Sequence, residues 1–276
     1  MKISLIFPLI RCVAIILLLL VSHAAVGITN GTRSEEPLVV TFWFGDMRRG
    51  SGVFLTPELI MTTGKVVSPN RAKHARFISH TDGNRKPQLF PGISGEIEKG
   101  TEFGPIVIEN PITNEQETVE GPVLLMVKHS DSPKFERLPF PLLPNEEEMP
   151  GSMSGNQSHL RVLGFGTTGT SDSIRSEGSV AFGKLLSYTS PNGPFVFHTN
   201  KSNVGNEITH GDIGGPVFDN NLLVGIHVIA PRHAQALASQ EYRAISGVHF
   251  WLASPEIRRW IMRTAKQWNT ALPKSR

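Results

Sequence analysis

The chain has 276 residues, 39% of them apolar and 18% charged, with 26 Gly and 20 Pro. That composition excludes wholesale disorder, collagen and coiled coil. Its 27 Lys and Arg against 24 Asp and Glu leave a formal charge of +3, and no long basic run gathers that charge, so nucleic acid is not an expected partner.

Lys2 and Arg11 precede a wholly apolar run from Val13 to Val21, and the small residues Ala24, Ala25 and Gly27 follow it. This is the layout of a signal peptide over residues 1–27, and the run is shorter than the roughly 20 residues that a membrane-spanning helix needs. The expectation is a secreted, extracellular chain with no membrane span, cleaved between Ala24 and Gly27. Cleavage after Gly27 puts small residues at both positions the peptidase reads. Cys12, the only cysteine, lies inside this segment, so the remainder is expected to hold no disulfide and no cysteine-ligated metal. Sequons at Asn30, Asn156 and Asn200 fit passage through a glycosylating compartment.

From Leu38 to about Val228, short apolar or alternating runs are separated by Gly, Pro, Asn and Ser. Examples are Leu38 to Phe44, Leu59 to Thr62, Val123 to Val127, Leu160 to Phe165 and Leu222 to Val228. Short strands with turn signals between them predict a sandwich or barrel. The segment Pro139 to Pro150, with four prolines and three consecutive glutamates, reads as a linker between two halves. After Ser254-Pro255 the pattern changes: Ile257, Trp260, Ile261, Ala265 and Trp268 fall on one helical face. Ser254 suits the N-cap, Pro255 the first helical position and Glu256 the positive end, with Arg258, Arg259, Arg263 and Lys266 assigned to a solvated outer face. No histidine spacing makes a metal site, and no cofactor is expected.

Gly211-Asp212-Ile213-Gly214-Gly215-Pro216-Val217 resembles the nucleophile loop of the chymotrypsin-like serine proteases, Gly-Asp-Ser-Gly-Gly-Pro, at every position except the serine. Other segments match in the family's order. Ser51-Gly52-Val53-Phe54-Leu55-Thr56-Pro57 and Leu59-Ile60-Met61-Thr62-Thr63-Gly64-Lys65-Val66 resemble the strands that deliver the catalytic histidine, with Lys65 in its place. Gly121-Pro122-Val123-Leu124-Leu125 is similar to the segment that carries the acid, with Gly121 at the aspartate. Leu160 to Thr167 and Leu223-Val224-Gly225-Ile226 resemble the opening of the second barrel and the strand after the nucleophile loop. The resemblance implies an all-β fold of two antiparallel six-stranded β-barrels with a C-terminal α-helix: residues 28–145, 146–254 and 255–270, one peptidase-like domain overall. Gly50 and Val66 then occupy a pair of positions that the family bridges with a disulfide, and Leu160 and Thr209 occupy other half-cystine positions.

Acyl transfer in this family needs an oxygen nucleophile, an imidazole that carries its proton and a carboxylate that orients the imidazole. Ile213, Lys65 and Gly121 provide none of these: isoleucine has no nucleophilic atom, lysine is protonated at neutral pH, and glycine has nothing to orient. The resemblance therefore implies a chain without peptidase activity, in which the amides of Gly211 and Ile213 remain as an oxyanion pocket. It also implies that signal removal frees the Ile28 amine to pair with Asp212, and that Glu207, with Gly211 and Val228, lines the former cleft.

The leading functional expectation is an inactive protease homologue that binds secreted proteins, among them an active serine protease or an inhibitor. In insects such relatives serve as immune-cascade cofactors or as seminal-fluid proteins. The immune type usually carries an N-terminal clip domain, and the short interval between residue 27 and the protease-like start favours a clipless reproductive, digestive or venom role, with seminal fluid the leading expectation. The alternatives are a ligand- or glycan-binding module that reuses the emptied cleft, and, last, a hydrolase that pairs Lys65 with Thr62 or Thr63.

Overall fold

The computed structural model describes residues 28, 30–34, 36–78, 94–109, 115–129, 138–147, 159–166, 175–186, 195–201, 203, 205–230 and 244–273. The signal segment 1–27, the sequon at Asn156 and residues 148–150 lie outside the described residues.

The first barrel begins as a meander of Val39–Phe44 (β2), Met47–Thr56 (β3) and Leu59–Thr63 (β4), after the short strand Thr32–Arg33 (β1). Ala75–Ile78 (β5), Ser94–Glu102 (β6) and Pro122–His129 (β9) close it in the order β2-β3-β4-β9-β6-β5. Between β6 and β9, Ile106–Glu109 (β7) and Gln116–Val119 (β8) pair as a separate hairpin, with Ile106, Ile108 and Val119 buried and the intervening residues exposed. That alternation is the period of a half-buried strand. The second barrel is built from His159–Gly164 (β10), Ser176–Leu186 (β11), Val196–Lys201 (β12), Pro216–Asp219 (β13), Leu222–Ile229 (β14) and Ile245–Trp251 (β15). Its ring runs β11-β10-β13-β14-β15-β12, and β12 returns to β11. Register shifts at Phe54/Thr56 and Ile97/Lys99 in the first barrel, and at Phe182/Lys184, Thr199/Asn200 and His227/Ile229 in the second, supply the local bends that close so few strands. Two antiparallel six-stranded barrels and one C-terminal helix are what the sequence resemblance implies.

Two segments sit differently from the sequence expectation. Thr32 and Arg33 of β1 pair with Glu177 and Ser176 of β11, so the start of residues 28–145 is attached to the second barrel, where its backbone groups complete a ladder. The proline-rich segment is docked, too. Leu142 bridges Leu222 in parallel, its amide bonds the Asn221 carbonyl at 3.1 Å, and Leu143 is buried.

The helix Pro255–Gln267 (α1) buries Ile257, Trp260, Ile261 and Ala265, as its spacing predicts. The Ser254 carbonyl accepts from the Arg258 amide at 2.8 Å, yet the Ser254 hydroxyl makes no cap bond and is buried without a hydrogen-bond partner. Arg258, expected on the outer face, is 8% exposed: it lines a groove with Met262, Ala265 and Leu272, where the chain after α1 comes back alongside the helix. Phe103 joins the three bodies, with its ring 5.8 Å from Trp260 of α1 and 5.9 Å from Phe195, which precedes β12. Lys99 of β6 lies over the Trp268 ring at 5.1 Å. No helix among the described residues is long and apolar enough to cross a membrane.

Gly50 and Val66 meet across the edge of the first barrel: a Cβ placed on Gly50 would lie 2.6 and 3.2 Å from the two γ-methyl carbons of Val66. Valine thus fills the volume of the missing bridge. The same Cβ would lie 2.8 Å from the Ile213 carbonyl, so a side chain at position 50 needs a backbone shift, and Gly50→Ala is expected to destabilise the fold by about 1–3 kcal/mol. Urea melts of the variant check this; an unchanged midpoint would refute it.

Candidate functional site

The loop between β12 and β13 is organised by Asp212, which has no exposure to solvent. One carboxylate oxygen accepts from the Gly166 amide at 2.7 Å, and the other from the amide and hydroxyl of Thr209 at 2.8 and 2.7 Å. A buried carboxylate is tolerated only when answered in this way. The chain around it turns as a short 3-10 segment, His210–Asp212, and the Ile213 amide donates to the His210 carbonyl at 3.3 Å. The Ile213 amide, which the resemblance assigns to an oxyanion pocket, is therefore engaged inside the loop. Gly214 follows at φ +85°, with the Ser51 carbonyl and Thr62 hydroxyl occupying the place of a side chain, so only glycine fits.

Ser51 of β3 ties this loop to the first barrel. Its amide donates to the Ile213 carbonyl at 2.8 Å, its hydroxyl donates to the Gly211 carbonyl at 2.9 Å, and the same hydroxyl accepts from the Phe165 amide at 3.2 Å. Lys65 and Gly121 meet at the same corner. The Gly64 amide donates to the Gly121 carbonyl at 3.0 Å, and Val66, next to Lys65, touches Gly50, next to Ser51. The loop residue Lys65 is exposed, Gly121 is buried, and Ile213 is 2% exposed as part of the core. A Cβ on Gly121 would run into the Gly104 carbonyl, so any larger residue there needs a shift of the backbone after β6.

Glu207, Gly211 and Val228 are all buried. Glu207 meets Lys201 of β12, Nζ to Oε2, at 2.8 Å. Next to it the Ile208 side chain, fully buried, fills the space above Gly247 of β15, and its amide is held by the Ser246 carbonyl at 3.1 Å. The interior behind Ile208 holds His249 and His227, Nδ1 to Nδ1 at 2.9 Å. His227 Nε2 lies 3.2 Å from the Leu163 carbonyl, and His249 Nε2 lies 2.8 Å from the Thr199 hydroxyl. With both rings neutral, as full burial favours, the acceptor-only carbonyl fixes every proton along the line. Nε2–H of His227 donates to Leu163, Nδ1–H of His249 donates to His227, and Thr199 O–H donates to His249. Burial pushes His227 down to about 3 despite its bond to Leu163, and burial, with His227 and His198 nearby, holds His249 well below the ordinary 6.5.

Elsewhere, Ile28 is fully buried against Gly178 and Asn206, and its carbonyl accepts from the Gly31 amide at 2.8 Å. Asn30 is exposed, and Asn200 is part-buried in β12 between Ala181 of β11 and Ile245 of β15. The described residues contain no group of three or more His, Cys, Asp or Glu able to hold a metal ion. Ile208, Ser51 and the histidine line were not singled out by sequence reasoning. The one available signal was His227 and His249 at alternating positions of adjacent apolar strands, where a buried imidazole demands a partner.

A neutral pair of buried histidines makes stability depend on pH with a definite sign. The native state refuses protons that the unfolded chain accepts below about 6.5, so this contribution is complete above that pH and is lost as pH falls towards 3. Between pH 6.5 and 5, where carboxylates stay ionised, the unfolding free energy is expected to drop by up to about 1.4 kcal/mol per pH unit for each histidine. His249→Gln is expected to flatten the slope. Urea unfolding across that window measures both; a pH-independent midpoint would contradict the neutral pair.

No protein-family model matches the sequence, and no curated protein sequence does. Solved structures do. The scabies mite inactivated protease paralogue S-I1 is 17% identical, aligned over 86% of this chain and 99% of its own, with a TM-score of 0.60. The scabies mite inactivated protease paralogue S-D1 gives 15%, 88%, 99% and 0.58, and human heparin binding protein gives 15%, 89%, 99% and 0.58. What the chain shares with these proteins, over nearly their whole length, is the chymotrypsin-like fold of two β-barrels and a C-terminal helix.

Proposed function

We propose that this chain is a secreted, catalytically inactive homologue of the chymotrypsin-like serine proteases, which works by binding other extracellular proteins in a protease network. The observation that carries the reading is the corner built by the Gly64–Gly121 and Ser51–Ile213 backbone bonds, where the Ile213 amide is bonded to the His210 carbonyl. The positions that the resemblance gives to nucleophile, base and acid are held by Ile213, Lys65 and Gly121. Any one of these losses costs orders of magnitude in rate. Two of the solved structures with this fold are named inactivated protease paralogues, which agrees with the reading. Ile208 and the two histidines fill the interior beside Glu207, so a ligand seated in the old cleft is the weaker alternative. The partner is then expected on an outer surface, with an active protease or an inhibitor as first candidates and seminal fluid as the first secretion to search.

Restoring chemistry to the corner is expected to fail. The variant Lys65→His/Ile213→Ser should label with a fluorophosphonate no faster than the native chain. It still lacks the orienting carboxylate, worth about 10⁴ in rate, and an oxyanion donor, worth about 10² to 10³. Stoichiometric labelling of the native chain would overturn the inactive reading, and mild cross-linking in the native secretion with recovery of this chain alone would overturn the binding role.

The same reading assigns Ile28 as the mature amino terminus, its ammonium paired with the buried Asp212. N-terminal sequencing of the secreted protein should begin Ile-Thr-Asn; a different first residue would remove this pairing.

A further inference from the structure

Beside β1 and β11 lies a groove of about 440 Å³ whose lining includes both defining residues of a sequon, Asn30 and Thr32. Its walls add Arg161, Glu177 and Ser179. We propose that this groove is the seat of an N-linked glycan on Asn30, with the first hexosamine lying along β11. The inference rests on the secretion reading and goes beyond it, because it selects one sequon and gives the sugar a structural place.

The features of the site itself carry it. Asn30 is exposed and stands at φ +55°, a turn conformation that asparagine tolerates. Its Nδ2 donates to the Gly205 carbonyl at 3.4 Å, which orients the amide beside the groove, and a glycosylated amide keeps one N–H with which to donate. The groove mixes donors and acceptors as a sugar's hydroxyls require: Arg161 donates, Glu177 accepts, and Thr32 and Ser179 do both. Arg161 is held in place by Glu36 at 3.3 Å and Glu177 at 3.8 Å, so the wall is already ordered. A volume of this order is that of a small-ligand site. Asn200, by contrast, sits mid-strand and part-buried, with strands on both sides.

In the covalent step, Nδ2 of Asn30 attacks C1 of an oligosaccharide carried on a lipid diphosphate. The Nδ2–C1 bond forms, the C1–oxygen bond to the diphosphate breaks with its electron pair leaving on the diphosphate, and one amide proton is released. No oxidant or reductant enters. The sugar then lies across β1 and β11 and holds the strand that tethers the N-terminal segment to the second barrel.

The test is expression of the full chain in a secretory eukaryotic cell, with glycopeptide mass spectrometry of the native chain and of Asn30→Gln, Asn156→Gln and Asn200→Gln. The expected result is a hexosamine core on Asn30, and loss of one glycan's mass in Asn30→Gln. Hydrogen exchange, measured after an endoglycosidase has trimmed the glycan to its first sugar, should be slowed by about tenfold at residues 32–34 and 177–179 relative to Asn30→Gln. Bare Asn30 in chain recovered from the medium overturns the glycan seat and leaves the secretion reading standing. Occupied Asn30 with unchanged exchange overturns the seat. Chain retained in the cell overturns the secretion reading, and this inference with it.

Discussion

A carboxylate with no access to water must be answered by hydrogen-bond donors, and Asp212 is answered from two directions. Thr209, three residues earlier, gives it an amide and a hydroxyl, and Gly166, just beyond β10, gives it another amide. Those bonds fix the shape of the loop between β12 and β13, and the loop presents the Gly211 and Ile213 carbonyls to Ser51 of the first barrel. The two barrels are latched at this point by polar groups that have no water to fall back on. Loss of the carboxylate would free two buried amides and a hydroxyl of the second barrel at once, so its structural weight exceeds that of a surface ion pair.

The neighbouring space is full. Beside the β12–β13 loop the chain places Ile208, the buried histidine pair and the Lys201–Glu207 ion pair. Each polar group there is bonded to the chain itself. This packing serves the stability of the second barrel.

The barrels were legible because strands, turn residues and the glycine loop obey local rules. In the loop Gly211 to Gly215, Gly214 has a positive φ and no room for a side chain, a requirement of the backbone that holds whatever residue stands at 213. The helix was legible from its period, down to Trp260 and Ile261. What was not legible depended on contacts between distant residues. Ser254 stands at the cap position but turns its hydroxyl inward, and Arg258 is covered by residues after α1, which helical spacing alone does not reveal. Thr32 joins β11 through backbone pairing that carries no side-chain signature. The closed amide of Ile213 is a matter of one carbonyl's direction, and sequence does not encode carbonyl directions residue by residue.

With Val66 filling the place of a bridge and one cysteine in 276 residues, the chain has no intramolecular thiol pair to form or reshuffle. Its approach to the native state has no step that waits on an oxidant or on disulfide exchange. What remains slow is the pairing of distant strands, above all β1 with β11 and β12 with β15, whose loops must close before any contact repays them. The protein's maturation is therefore timed by topology, at a pace that the redox state of its surroundings does not alter.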